Sequence, residues 1–142
     1  MFYSYYPYFY YACFTVCAFY ALLRGGKTEA WGVAIIAIGS LGTTFAIIIL
    51  GPTWAEFNYV VFGIDLAAFV ALAFIALTSD RFWPMWATAF HFLTLAVHLA
   101  TYLVPTIMPW AFATGAAFWA YPMILMLGIG ALENIKSEQS AI

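Results

Sequence analysis

The sequence predicts an all-α polytopic membrane protein of five transmembrane helices, with the amino terminus outside and the carboxy terminus cytoplasmic. Three observations carry that expectation. Of 142 residues, 67% are hydrophobic and only 7% charged, against about 25% in soluble domains, and the mean hydropathy is +0.98, so lipid is the expected solvent. The apolar residues fall into five runs, at about 6–23, 30–50, 57–78, 85–104 and 110–132, each near the roughly 20 residues that cross a hydrocarbon core of about 30 Å. The positive residues alternate with those runs: Arg24 and Lys27 in the first connection, Arg81 in the third and Lys136 in the tail, with none in the amino terminus or the second and fourth connections. All four then share one side, which the positive-inside rule makes cytoplasmic.

One helical domain over 1–142 accounts for the length, with a polar tail at 133–142 and no expected soluble domain. The net charge of -2 is spread over the connections and forms no basic patch, which excludes nucleic acid as a partner.

The first segment follows MFYSYYPYFYY. It lacks the positive region of a secretory signal, so it is expected to remain as a helix. Tyr3, Tyr5, Tyr6, Tyr8, Tyr10 and Tyr11 favour a headgroup region, and so many tyrosines exceed what anchors one helix. They are read as an aromatic surface for a partner or a flat pigment. Cys13 and Cys17, four apart, read as small apolar side chains.

The second segment carries GSLGTT at 39–44. Gly39 and Gly42 let a neighbouring backbone approach closely, and the absence of a following lysine argues against a phosphate loop. The third and fourth segments form a hairpin around the turn 79–84, with Gly63, Ala67 and Ala71 as a small-residue ridge on the third. Pro122 is expected to kink the fifth. Trp31, Trp83 and Trp86 are expected at the inner interface, and Trp54, Tyr59, Tyr102 and Trp110 at the outer.

The hairpin concentrates the polar chemistry. Asp65 and His98 are equidistant from the middle of its turn, so antiparallel helices bring them to one height. An ionised, unpaired Asp65 would cost about 2.5–3.5 kcal/mol in a bilayer, which predicts a buried Asp65–His98 contact. His91 lies seven residues before His98, on the same face and about 10.5 Å away; it is the unmatched histidine. His91 or His98 is therefore the candidate ligand for a haem or chlorophyll-type pigment. No nucleophile, paired carboxylate or metal-ligand set accompanies them, so neither a catalytic residue nor a metal site is expected.

The stretch Arg81-Phe82-Trp83-Pro84-Met85-Trp86, followed by His91 and His98, with FWAYP at 118–122, resembles short uncharacterised multi-helix inner-membrane proteins of proteobacteria. The resemblance covers segments three to five, carries no assigned activity, and implies a bacterial inner membrane.

The expected function is a non-catalytic accessory subunit of an energy-transducing membrane complex, photosynthetic reaction-centre and antenna or respiratory. Its partners would be lipids and other integral membrane subunits, with bacteriochlorophyll, carotenoid or haem at a subunit interface. The alternatives are a His-ligated pigment or haem protein, and a small proton-coupled transporter or channel using Asp65.

Overall fold

A computed structural model describes residues 6–51, 58–104 and 109–140. They form six helical segments: α1 Tyr6–Arg24, α2 Lys27–Leu50, α3 Tyr59–Thr78, α4 Trp83–Leu103, α5 Pro109–Phe118 and α6 Ala120–Ser140. No strand occurs among the described residues. Three stretches, Lys27–Leu50, Tyr59–Thr78 and Thr114–Glu133, are long and apolar enough to cross a membrane.

The helix ends follow local chemistry. Glu29 reaches back to accept from the Gly26 N–H at 2.7 Å, satisfying a donor at the start of α2 that has no partner within the helix. Asn58 caps α3, its side-chain oxygen accepting from Val60 and Val61 N–H at 3.1 Å each. Gly51 ends α2 with φ 82°, a left-handed angle that a side chain resists. Pro84 sits in the first turn of α4, where its missing N–H costs nothing.

The expected fifth helix is broken, and the break lies before Pro122. α5 stops at Phe118 and α6 starts at Ala120, leaving Trp119 between them. The cause is the proline: it offers no N–H to the carbonyl of Phe118 four residues earlier, and its ring crowds that carbonyl. The next bond, Met123 N–H to Trp119 O, is long at 3.4 Å. The region expected as a polar tail differs as well, since α6 continues through Glu133 to Ser140. Residues 133–140 contain no glycine or proline to stop it.

Around the bundle, α2 packs on α3, α3 on α4, α4 on α6 and α6 on α1, and lighter contacts of α1 with α2 close the ring; α5 lies against α4 and α6. The apolar core is concentrated toward the end bearing Arg24 and Arg81. Ala21 of α1, Trp83 and Ala87 of α4, and Leu127 and Ala131 of α6 are fully buried there, with Val33 and Ile36 of α2 beside them.

Three packing expectations need correction. Trp83, expected at an interface, has no exposed surface, whereas Trp31 and Trp86 are exposed. The ridge of Gly63, Ala67 and Ala71 does not make the close contact of α3: a Cβ at Gly63 would meet nothing within 4 Å, and Ala67 is exposed. α2 instead sets Gly39 against Ala68 and Gly42 against Ile64, one residue and so about 100° round the helix from the expected face, because Asp65 must point toward α4. Tyr10 and Tyr11 also turn inward onto α2, while Tyr8 remains exposed. Tyr3, Tyr5 and Trp54 lie outside the described residues.

Candidate functional site: two buried polar clusters

At the Arg81 end, Glu29 is completely buried. Its Oε1 accepts from Trp83 Nε1–H at 3.0 Å and pairs with Arg81 Nε at 3.5 Å, while Oε2 takes the Gly26 N–H. All three neighbours are donors, so both oxygens act as acceptors, the role of a carboxylate. The indole that reaches Glu29 is seated between two glycines on different helices. A Cβ at Gly32 of α2 or Gly130 of α6 would collide with the Trp83 ring. One carboxylate and one indole thus tie the α1–α2 connection, the α3–α4 turn and α6 together. Sequence reading placed Glu29 in a loop and missed it. The available signal was a Glu three residues after Gly26, the spacing of half a capping box.

Toward the opposite end lies a second cluster, drawn from four helices. His98 Nε2 lies 2.8 Å from Asp65 Oδ2, and both side chains are largely buried, at 6% and 14% exposure. Asp65 is six residues into α3, about 9 Å along it at 1.5 Å per residue. The Asp65 carboxyl therefore has a direct side-chain partner inside the bundle rather than standing alone. Its electrostatic cost inside an apolar bundle is correspondingly small.

His91 joins the same residue through the main chain. Its Nε2 is 2.9 Å from the carbonyl oxygen of Asp65; a carbonyl only accepts, so Nε2 carries the proton. The candidate ligand histidines therefore both have Nε2 engaged by Asp65. The Phe62 ring meets His98 edge-on at 6.1 Å and helps fix its plane.

The α1–α2 seam supplies the rest of the cluster. Tyr10 Oη is 2.8 Å from Ser40 Oγ, and Tyr11 Oη is 3.1 Å from Ser40 O and 2.5 Å from Thr44 Oγ1. The Tyr10 ring meets Tyr121 of α6 edge-on at 6.0 Å. The segment read as a partner-facing aromatic surface instead contributes two of its tyrosines to the interior. Their targets, Ser40 and Thr44, sit in the GSLGTT stretch.

On α4, Thr94 and Thr101 are buried on the histidine face. Thr88 and Thr101 donate to the carbonyls of Pro84 and Val97 within their own helix, which satisfies the hydroxyls locally. Cys13 and Cys17 are free and half-buried. Among the described residues, no group of three or more His, Cys, Asp or Glu is arranged to hold a metal ion.

Fold and site together define an apolar α-helical bundle fastened at two heights by buried polar clusters. Compared with protein-family models, with curated proteins and with solved structures, the chain matches none.

Proposed function

We propose that the chain is a non-catalytic integral-membrane accessory subunit, crossing the membrane five times with its Arg81 end cytoplasmic, in a larger assembly of the energy-transducing kind. The observation that supports this reading is how the buried ionisable groups are used. Glu29, Asp65, His91 and His98 are each held by another part of the same chain. That is the economy of a scaffold, in which polar side chains satisfy one another between helices.

The outward flanks fit the same role. α2 exposes Ile38, Phe45, Ile48 and Ile49, and α3 exposes Val70, Phe74 and Leu77, surfaces suited to lipid tails and to the helices of neighbouring subunits. A haem or chlorophyll-type pigment ligated through Nε2 of His91 or His98 would require that imidazole to leave Asp65, which disfavours the pigment-protein alternative. The alternating positive residues support the orientation, and the bacterial inner membrane follows from the resemblance of segments three to five.

Extraction from native membranes in a mild detergent, followed by native electrophoresis and mass spectrometry of the bands, tests the proposal. Co-migration with larger membrane subunits is expected. Migration as a lone monomer, under conditions that keep known large complexes intact, refutes it.

A further inference from the structure

Cys13 and Cys17 take no part in either polar cluster, and both line one groove of about 410 Å³ between α1 and α6. They are four residues apart on α1, which sets their Cβ atoms about 5–6 Å from each other on one helix face. Ala12, Val16, Ile124 and Leu125 line the groove beside them with hydrocarbon, and Tyr121 adds an aromatic ring. Opposite Cys17 stands Gly128, where even a Cβ would come within 3.9 Å of the sulfur.

We propose that Cys13 and Cys17 form a two-sulfur binding site for a soft metal ion, with mercury(II) as the best-matched species. Thiolates select soft ions, and apart from the two sulfurs the groove presents no polar surface. Coordination number then discriminates among the metals. Zinc calls for four ligands, whereas mercury(II) is content with two sulfurs in a line.

Charge discriminates further. Binding breaks two S–H bonds, forms two metal–sulfur bonds and releases two protons to solvent, with no change of oxidation state. Two thiolates and one divalent ion leave the groove neutral; copper(I) on the same two thiolates would leave one negative charge in hydrocarbon, which is costly. The inference is independent of the accessory-subunit reading, because it concerns a face that neither polar cluster uses.

The test uses the full chain in nanodiscs, titrated with mercuric chloride in the presence of glutathione as a competing monothiol. Ultraviolet metal–sulfur absorbance and mercury-edge X-ray absorption are the readouts. One ion per chain, bound by two sulfurs, is expected. Cys13→Ala and Cys17→Ala should each weaken retention about 10²–10⁴-fold, the advantage of joining two donors on one scaffold. Zinc chloride should not displace the mercury.

On the unmutated chain, one equivalent of mercury should protect both thiols from a membrane-permeant maleimide, a readout that needs no variant to fold. Single variants that retain the ion as well as the parent, displacement by zinc, or labelling of either thiol at one equivalent would overturn the site.

Discussion

Glu29→Gln is the most informative perturbation, because it keeps shape and removes one acceptor. Glu29 presents an acceptor to each side: Oε2 to Gly26 N–H at 2.7 Å, Oε1 to Trp83 Nε1–H at 3.0 Å and to Arg81 at 3.5 Å. A carboxamide has one oxygen and one NH₂, so whichever way it turns, one NH₂ faces another donor. Leaving a buried donor unsatisfied costs about 1–3 kcal/mol. Arg81 also loses its counter-charge, a smaller loss because its side chain is 23% exposed and partly screened by solvent. The expected destabilisation is about 2–4 kcal/mol.

Trp83→Phe removes the indole donor, so in the double variant the glutamine can give its oxygen to Gly26 and its NH₂ faces Arg81 alone rather than two donors. The double variant should then lose at least about 1 kcal/mol less than the sum of the two single losses. Reversible unfolding in mixed micelles, followed by circular dichroism, measures all four chains. A Glu29→Gln loss within about 0.5 kcal/mol of zero, or strict additivity in the cycle, would refute the assigned contacts.

Gly32→Ala and Gly130→Ala should each destabilise by about 1–3 kcal/mol, since the new methyl meets the Trp83 ring and overpacking outweighs the gain in helix propensity. Gly63→Ala, at a position open on all sides, should instead be neutral or stabilising by up to about 1 kcal/mol in the same unfolding assay. His98→Ala should cost about 3–5 kcal/mol by leaving Asp65 buried without its partner, and Asp65→Asn distinctly less; equal losses from the two would argue against the pair. Pro122→Ala restores an N–H for the Phe118 carbonyl, and slower amide hydrogen exchange at 119–123 is the expected sign of a continuous helix. Tyr11→Phe should cost about 1 kcal/mol through its lost contacts with Ser40 and Thr44, and no measurable loss would mean the α1–α2 seam is held by packing alone.

What could be read from sequence depended on whether a residue's partner could be located along the chain. Asp65 and His98 could be matched because each is an ionisable group inside an apolar run, and one short turn sets their relative height. Glu29 could not, since its burial exists only once Trp83 arrives from 54 residues away and two glycines on other helices make room for the ring. Beside Arg24, Lys27 and two glycines it has the composition of a solvated loop.

The tyrosines failed for a related reason. Composition gives their affinity for an interface, but the direction in which Tyr10 and Tyr11 point is set by Ser40 and Thr44 on another helix. Pro122 announced a kink in one helix; its action on the carbonyl four residues back instead divides the segment at Trp119. Gly39 and Gly42 of α2 face Ala68 and Ile64 of α3 at ordinary contact distance, whereas Gly63 has open space around it, because Asp65 rather than Gly63 decides how that helix is rotated.

The seat of Trp83 also imposes an order on assembly. Gly32, on α2, and the ring itself are made early in synthesis, but Gly130 follows 47 residues after Trp83. Until α6 arrives, one face of the indole has no protein neighbour at the Gly130 position, and the bond to Glu29 is closed on one side only. The last helix is thus the bolt of the bundle: a chain interrupted before it would leave the seat of the Trp83 ring open on the Gly130 side.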